Sequence, residues 1–177
     1  LRVTEALHAE FPQLTFDITA KVEHLVNHAD LLPQLAEYGC LFIVTAVESL
    51  STHVLEILDK GHTRSDVERA LEVTRMAGIA LRPSLVAFTP WTTLDDYLEL
   101  FEFTAVNALV GAIERVQFTI RLLLPPESLL LDHPQMTPHL RELRAGDFGY
   151  RWEHPDPRVD ALHREAVAVA EHGGDDA

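Results

Sequence analysis

Short apolar stretches alternate with longer amphipathic ones along most of this chain, and this alternation restricts the possible folds more than any other feature. Four stretches have the length and composition of strands, at residues 14–19, 41–47, 79–88 and 115–124. Helical patterns occupy residues 2–10, 28–38, 52–59, 64–76, 93–109 and 157–172. Because a helix separates each strand from the next, we expect parallel pairing with right-handed crossovers.

The predicted strands begin about 27 to 38 residues apart, a spacing that suits a β/α barrel or part of one. We therefore expect an α/β fold: a partial (β/α) barrel of the TIM type, with about four parallel strands, flanking helices and a C-terminal helix. A doubly wound sheet is the alternative, although no glycine-rich phosphate loop follows any predicted strand. Residues 1–131 would form the partial barrel, and residues 132–177 an extension of proline-rich turns and a helix.

Charge and cysteine content argue against several classes of function. The net charge of −14 disfavours binding to nucleic acid or to an anionic membrane surface. A single cysteine, Cys40, excludes an internal disulfide and a multi-cysteine metal site, and no metal ligands are predicted. The chain has neither a long apolar run nor a signal-peptide pattern and begins with Leu1, so we expect a cytoplasmic protein that is a piece of a longer one.

Polar side chains recur at every second position of the predicted strands, whereas strands buried on both faces are almost continuously apolar. With a period of two, each set points to one face of the sheet. This pattern predicts a wet lumen or a binding site, and the alternative is an exposed sheet face or a set of strand ends. The residues concerned are Thr15, Asp17, Thr19, Lys21, Thr45, Arg82, Ser84, Gln117, Thr119 and Arg121.

The second predicted strand runs directly into Glu48 and Ser49, and a helix follows at once. Ligands of parallel α/β proteins bind at the carboxyl ends of the strands, and a carboxylate without a partner is costly beside a core. Glu48 and Ser49 are therefore a candidate site. The alternative is that Glu48 pairs with Lys21 or Arg82 while Ser49 or Ser51 caps the helix.

Several motifs resemble radical S-adenosylmethionine (SAM) enzymes over residues 11–131. V-T-A-V-E-S-L at residues 44–50 and V-L-E-I-L-D-K-G-H-T at residues 54–63 resemble the fourth strand of that family and its Lys-Gly-His-Thr turn. R-M-A-G-I-A-L-R-P-S-L-V-A-F-T-P-W-T-T at residues 75–93 resembles the fifth strand, and V-Q-F-T-I-R-L-L-L-P-P-E-S-L-L-L at residues 116–131 the sixth. R-W-E-H-P-D-P-R-V-D-A-L-H at residues 151–163 resembles a bacterial subgroup whose tail contains cysteine or selenocysteine.

The chain departs from the family pattern in two respects. The Cys-x3-Cys-x2-Cys motif and the first two β/α units are absent, so the resemblance is to the C-terminal part of the partial barrel. Family glycines are also replaced, by Ala46 before the Glu-Ser pair and by Leu50 after it. Phe88-Thr89-Pro90-Trp91 stands where the family has a Gly-x-Pro-Gly element, and such glycines owe their value to the lack of a side chain.

The resemblance implies a parent enzyme that uses a [4Fe-4S] cluster to cleave SAM to a 5′-deoxyadenosyl radical, which takes hydrogen from a small-molecule or peptide substrate that the sequence does not identify. This piece would supply the distal wall of the SAM and substrate pocket, bind neither cofactor alone, and be inactive. The implied cofactor-binding residues are Glu48, Ser49, Lys21, Arg121 and Ser84. Its exposed strand edge also predicts self-association.

Two rival functions remain open. The first is a cluster-free β/α-barrel lyase or aldolase with Lys21 as a Schiff-base lysine, and the second is a non-catalytic binding module. For the Lys60-Gly61-His62-Thr63 turn we favour a structural role over a binding one. Gly61 would end one helix and Thr63 would cap the next, with Asp66 completing a capping box.

Overall fold

Three parallel strands and seven α-helices make up the computed structural model, which describes residues 1–172. The strands are β1 (Phe16–Thr19), β2 (Cys40–Glu48) and β3 (Ala80–Leu85). The helices are α1 (Arg2–Glu10), α2 (Val22–Asn27), α3 (Leu32–Glu37), α4 (Thr52–Ile57), α5 (Arg64–Met76), α6 (Leu94–Val106) and α7 (Pro157–His172). The expected α/β class is confirmed, with fewer strands than the sequence predicted.

The strand order is β1-β2-β3, so each crossover joins neighbouring parallel strands. The register aligns Thr19 with Val44 and Val44 with Arg82, and these three residues form one row across the sheet. The ladder shifts at the end of β2, where Glu48 pairs with Leu85. The three carboxyl ends therefore lie along one edge, as expected for consecutive β/α units.

One face of the sheet is covered by the helices and forms the core. Ile43 of β2 and Val67 of α5 are completely buried, and Val22 of α2 is nearly so. Burying a side chain of this size contributes roughly 1.5–3 kcal/mol to folding. The core is therefore one-sided, with β2 at its centre.

The other face of the sheet is open, and the polar alternation in the sequence follows it. Asp17, Thr19 and Arg82 are exposed there and Ser84 is half-buried. Thr45 was expected among these polar positions, but it is fully buried on the helix side, where its hydroxyl has no hydrogen-bond partner among the described residues. Thr45 lies two residues after the buried Ile43 in β2. Side chains two residues apart in a strand point to the same face, so Thr45 points into the core.

The fourth predicted strand does not form. Residues Arg115–Thr119 are a 3-10 helix, and Arg121 forms an isolated parallel bridge to Phe88, which follows β3. The backbone amide of Leu85 donates to the side-chain oxygen of Gln117 at 2.9 Å, where a neighbouring strand would have offered a carbonyl. A side chain thus replaces the ladder, and the predicted four-stranded barrel portion is a three-stranded sheet.

The helical prediction at residues 28–38 was wrong in its bounds. A separate helix, α2, precedes it, and a 3-10 turn at Ala29–Leu31 leads into α3. Pro33 lies in the first turn of α3, where its missing N–H costs nothing, and it could not have stood inside a longer helix. The predicted helices at residues 2–10, 64–76 and 157–172 are confirmed.

The C-terminal extension packs back onto the segment that follows β3. Antiparallel bridges join Leu124 to Tyr150 and Leu140 to Trp152. Helix α7 lies against the 3-10 helix at Arg115–Thr119, and Val159 is the buried residue of α7. Within residues 1–172, no helix has the length and apolar character needed to span a bilayer.

We expect Gly39→Ala to destabilise the chain more than Gly78→Ala. Both glycines have positive φ, 99° and 75°, so either substitution costs roughly 1–2 kcal/mol from backbone conformation. A Cβ on Gly39 would lie 2.5 Å from the carbonyl oxygen of Leu14, whereas one on Gly78 meets no atom within 4 Å. Urea unfolding should show a further loss of about 1–3 kcal/mol for Gly39→Ala. Equal losses would contradict this account of the turn before β2.

The free edge of β1 should mediate self-association. The Phe16 amide donates to the carbonyl of Gly39, just before β2, and the Ala20 amide donates to Val44 of β2, so the amides of Asp17 and Thr19 point away from the sheet. Light scattering should show a concentration-dependent dimer, and Thr19→Pro should shift it toward monomer because proline removes an outward donor and spares the β1–β2 ladder. A monomer at every concentration would refute edge pairing.

Candidate functional site at the carboxyl edge of the sheet

A tight turn at Glu48 ends the central strand. Glu48 has φ of 64°, and the amide of Ser49 donates to the carbonyl of Val47 at 2.8 Å, which closes a three-residue γ-turn. A non-glycine residue in this conformation costs roughly 1–3 kcal/mol, and such strain is concentrated at functional sites. The carbonyl of Glu48 still accepts from Val86 at 2.9 Å, so the strained residue remains anchored to the chain after β3.

The Glu48 carboxylate forms an ion pair that sequence reasoning missed. Its Oε1 accepts from Lys60 Nζ at 2.9 Å, and the two side chains are 19% and 25% exposed. The anticipated partners Lys21 and Arg82 do not contact it. No donor from residues 1–172 reaches Oε2, so this oxygen is available for a ligand.

The turn at residues 60–63 braces this strand end from behind. His62 is buried, and its Nε2 donates to the Val47 carbonyl at 3.2 Å. Thr63 caps α5 in a reciprocal capping box with Asp66, as predicted, and hydrogen bonds from Thr63 lower the pKa of the Asp66 carboxyl. In addition to the predicted cap at Thr63, Lys60 and His62 therefore hold the end of β2. In the sequence, only the family resemblance singled out these two residues.

Ser49 lies beside Glu48 with its side chain buried. Its Oγ accepts from the amide of Ser51 at 3.1 Å, while the hydroxyl of Ser51 makes no capping bond to α4. The sequence allowed for a serine side chain that caps α4. The hydrogen bond that is found lies within the turn before the helix, between Ser49 and Ser51. The Ser49 hydroxyl can still donate its proton toward the sheet edge.

Two other candidate residues lie farther from Glu48. The hydroxyl of Ser84, on the open face of β3, is 3.5 Å from the Thr45 carbonyl. Lys21 follows β1 and is 71% exposed, with Glu23 as an ion-pair partner at 3.8 Å. The structure therefore gathers Glu48 and Ser49, to which it adds Lys60, and leaves Lys21 at the solvent-exposed end of the same edge.

Arg121 is held by the C-terminal extension. Its Nη1 donates to Asp160 at 2.7 Å, its Nη2 donates to the Trp152 carbonyl at 2.8 Å, and its guanidinium lies 3.6 Å from the Trp152 ring centroid. Burial raises the pKa of the Asp160 carboxyl, but the hydrogen bonds from Arg121 and from the His154 amide, together with the charges of Arg121 and His154, outweigh that effect and the pKa is lowered. Arg121 therefore forms an internal salt bridge with Asp160, a partner that sequence reasoning did not identify.

Trp91 packs on the rim of this region. Its indole Nε1 donates to the Gln135 carbonyl at 3.3 Å, which ties the turn after β3 to the extension. Thr89 and Thr92 bond to each other inside the same turn and are completely or almost completely buried. Side-chain hydrogen bonds hold this turn in the place where the radical SAM family has glycines.

Cys40 lies at the opposite end of β2 from Glu48. It is buried, and burial together with the charge of Asp17 raises the pKa of its thiol. A raised pKa opposes the thiolate form that binds metals. Among residues 1–172, no group of three or more His, Cys, Asp or Glu side chains is arranged to hold a metal ion.

Comparison with known proteins places this geometry in context. No family model matches the chain. It is 25% identical over 105 residues to bacteriochlorophyllide d C-8(2)-methyltransferase from Chlorobaculum tepidum, which covers 58% of the chain and 23% of that enzyme. The chain therefore spans about a quarter of the length of this relative.

The fold matches part of a solved enzyme structure. OxsB, a cobalamin-dependent S-adenosylmethionine radical enzyme, superposes with a TM-score of 0.79 in its complex with aqua-cobalamin and S-adenosylmethionine, and 0.78 with aqua-cobalamin alone. The match covers 97% of this chain and 31% of OxsB at 15% identity. At that identity the likeness shows a shared fold, and OxsB belongs to the superfamily whose motifs the sequence resembles. Neither comparison bears on the subgroup with a cysteine or selenocysteine tail.

We expect His163 to make the chain less stable in mild acid. Burial, and next the charge of Arg121, lowers the pKa of His163, whose Nε2 donates to the Thr119 carbonyl at 3.1 Å. A lowered pKa means that the folded state resists protonation, so this stability is present above pH 6.5 and is lost as the pH falls through the folded-state pKa. Urea unfolding between pH 7.5 and 5 should show the loss.

The control for this pH dependence is His163→Gln, which retains a donor for the Thr119 carbonyl and does not titrate. The stability of this variant should fall less between pH 7.5 and pH 5 than that of the unsubstituted chain. Part of the fall that remains should come from His139, because burial also lowers the pKa of that side chain. An unchanged decline would show that His163 does not couple folding to pH.

Proposed function

We propose that this chain is the C-terminal part of the partial barrel of a radical SAM enzyme, and that the carboxyl edge of its sheet forms the distal wall of the SAM and substrate pocket. The observation that carries the proposal is the strained turn at Glu48, which holds a half-buried carboxylate beside the buried hydroxyl of Ser49. The fold shared with a stretch of OxsB supports it.

The residues at this edge fit a ligand that carries both donors and acceptors. Glu48 Oε2 can accept from a ribose hydroxyl or from the methionyl amine of SAM, and Ser49 can donate to a neighbouring oxygen. Lys60 orients the carboxylate through the ion pair at Oε1. Pre-orientation of this kind reduces the entropy that a ligand must lose on binding.

Ser84, Lys21 and Arg121 complete the set that we propose to line the pocket. Ser84 faces the open side of the sheet, and Lys21 follows β1 along the ligand-binding edge. Arg121 has two of its nitrogens engaged by Asp160 and Trp152, so its contribution would come through its positive charge and through the position of the extension.

The iron–sulfur cluster does not fit the residues of this chain. Such clusters are held by several cysteine thiolates, and this sequence has one cysteine, buried at the amino end of β2. We therefore assign no step to the cluster here and expect the isolated chain to be catalytically inactive. In the parent enzyme, the cluster and SAM together would supply radical chemistry, while these residues bind, orient and exclude water.

The reaction subtype can be narrowed by one observation. The relative from Chlorobaculum tepidum is named as a methyltransferase. Methyl transfer is therefore the first reaction to test in the parent enzyme, ahead of simple hydrogen abstraction from the substrate.

The lyase alternative is disfavoured by the surroundings of Lys21. A Schiff-base lysine needs a desolvated or cation-flanked amine, so that it can lose its proton near neutral pH. Lys21 is 71% exposed and has the carboxylate of Glu23 as its ion-pair partner, so its surroundings are solvated and anionic instead of desolvated or cationic. A non-catalytic module remains the alternative to test, and it predicts no SAM binding even in the longer protein.

The test of the proposed function uses the chain together with its upstream coding sequence. After anaerobic reconstitution with iron and sulfide, we expect SAM to bind and to yield 5′-deoxyadenosine on reduction. Glu48→Gln should weaken SAM binding about tenfold, because it replaces a charge-assisted hydrogen bond with a neutral one. The measurement is isothermal titration with SAM, alongside product analysis.

The matched control is Glu56→Gln, which removes one negative charge from the exposed face of α4 near the site. It should leave SAM affinity unchanged. If Glu48→Gln and Glu56→Gln bind SAM equally well, or if the longer protein forms no cluster, the proposed function is wrong.

A further inference from the structure

One arginine on the open face of the sheet has a positive charge without an ionic partner. Arg82 lies in β3, is exposed, and makes no salt bridge with any residue from 1 to 172. Its guanidinium lies over the Phe42 ring at 3.7 Å from the centroid. Stacking of this kind holds the planar group in one orientation and leaves its edge donors free.

The rows of the sheet define what surrounds Arg82. It shares a row with Val44 and Thr19, and Phe42 lies in the neighbouring row toward the amino ends of the strands. Asp17 faces the same side but is aligned with Phe42, and no salt bridge joins it to Arg82. The guanidinium is therefore presented to the open face with an apolar support on one side.

We propose that Arg82 is an anion-binding residue, and that it holds the carboxylate or phosphate group of an acidic small-molecule substrate. A fixed guanidinium with free edge donors matches either anion in a two-point contact. The chain as a whole has a net charge of −14, so general attraction does not bring anions to it. Recognition at Arg82 must therefore be local.

The position of Arg82 also restricts the shape of that substrate, and this part of the inference rests on the proposed function. Glu48 lies four positions along β2 after Val44, the row partner of Arg82, a rise of about 13 Å. An anion at Arg82 would place the far end of the substrate near the edge where SAM is proposed to bind. The substrate would then have an acidic group on the order of 10 Å from its reacting carbon.

The experiment measures anion binding directly on this chain, with no cluster or SAM present. Protein labelled with ¹⁵N-arginine is titrated at constant ionic strength with inorganic phosphate in one arm and succinate in the other, while the arginine Nε–H signals are followed by NMR. We expect the Arg82 signal to shift and saturate. The arm that saturates at lower concentration identifies phosphate or carboxylate as the preferred group.

Three variants interpret the titration. Because Arg82→Gln and Arg82→Lys have no arginine signal at this position, their anion binding is measured by isothermal titration calorimetry beside that of the unsubstituted chain. Arg82→Gln should abolish the binding, and Arg82→Lys should retain it with roughly tenfold weaker affinity, because lysine keeps the charge and loses the two-point contact. Arg75→Gln is the matched control, since Arg75 is an exposed arginine in the last turn of α5 that donates to the Asn107 carbonyl. It should leave the Arg82 response intact.

The inference is overturned if Arg82 responds no more than Arg75, or if its shift increases linearly without saturation. The outcome is separable from that of the proposed function. Anion binding at Arg82 in a protein that fails to bind SAM would support the anion site and refute the radical SAM assignment. SAM binding with no anion response at Arg82 would refute only the anion site.

Discussion

The structure depends on how its central strand ends. Among the strands of residues 1–172, β2 alone has neighbours on both sides, and its last residue turns back through a strained γ-turn. Hydrogen bonds on both sides of that turn hold it, from His62 to Val47 behind the strand and from Val86 to Glu48 beside it. Because these contacts fix the backbone, the Glu48 carboxylate occupies a definite place at the sheet edge rather than sampling solvent.

The two faces of the sheet differ in burial and in polarity. The helix-covered face holds the buried side chains, such as Ile43 and Val67, and so contributes most of the hydrophobic stabilisation. The open face carries Arg82 and Ser84, which would be costly to bury without partners.

Much of the fold could be predicted from the sequence, because period and punctuation are local signals. The capping box at Thr63, the first-turn proline of α7 and the alternation in β3 each specify a structure within a few residues. The fourth strand failed because its outcome depends on a distant contact, the Gln117 side chain at Leu85. The Glu48–Lys60 pair was missed for the same reason, since twelve residues and a helix separate the two side chains.

The two edge strands of the sheet differ in how readily a further strand could pair with them. On the β3 side, the side chain of Gln117 accepts a hydrogen bond from the backbone amide of Leu85. Farther along the chain, Arg121 forms a bridge to Phe88, which follows β3. At β1, no side chain of residues 1–172 accepts a hydrogen bond from the outward amides of Asp17 and Thr19. A further strand can therefore pair at β1 without displacing a described contact, whereas pairing at β3 would require the Gln117 side chain to leave the Leu85 amide.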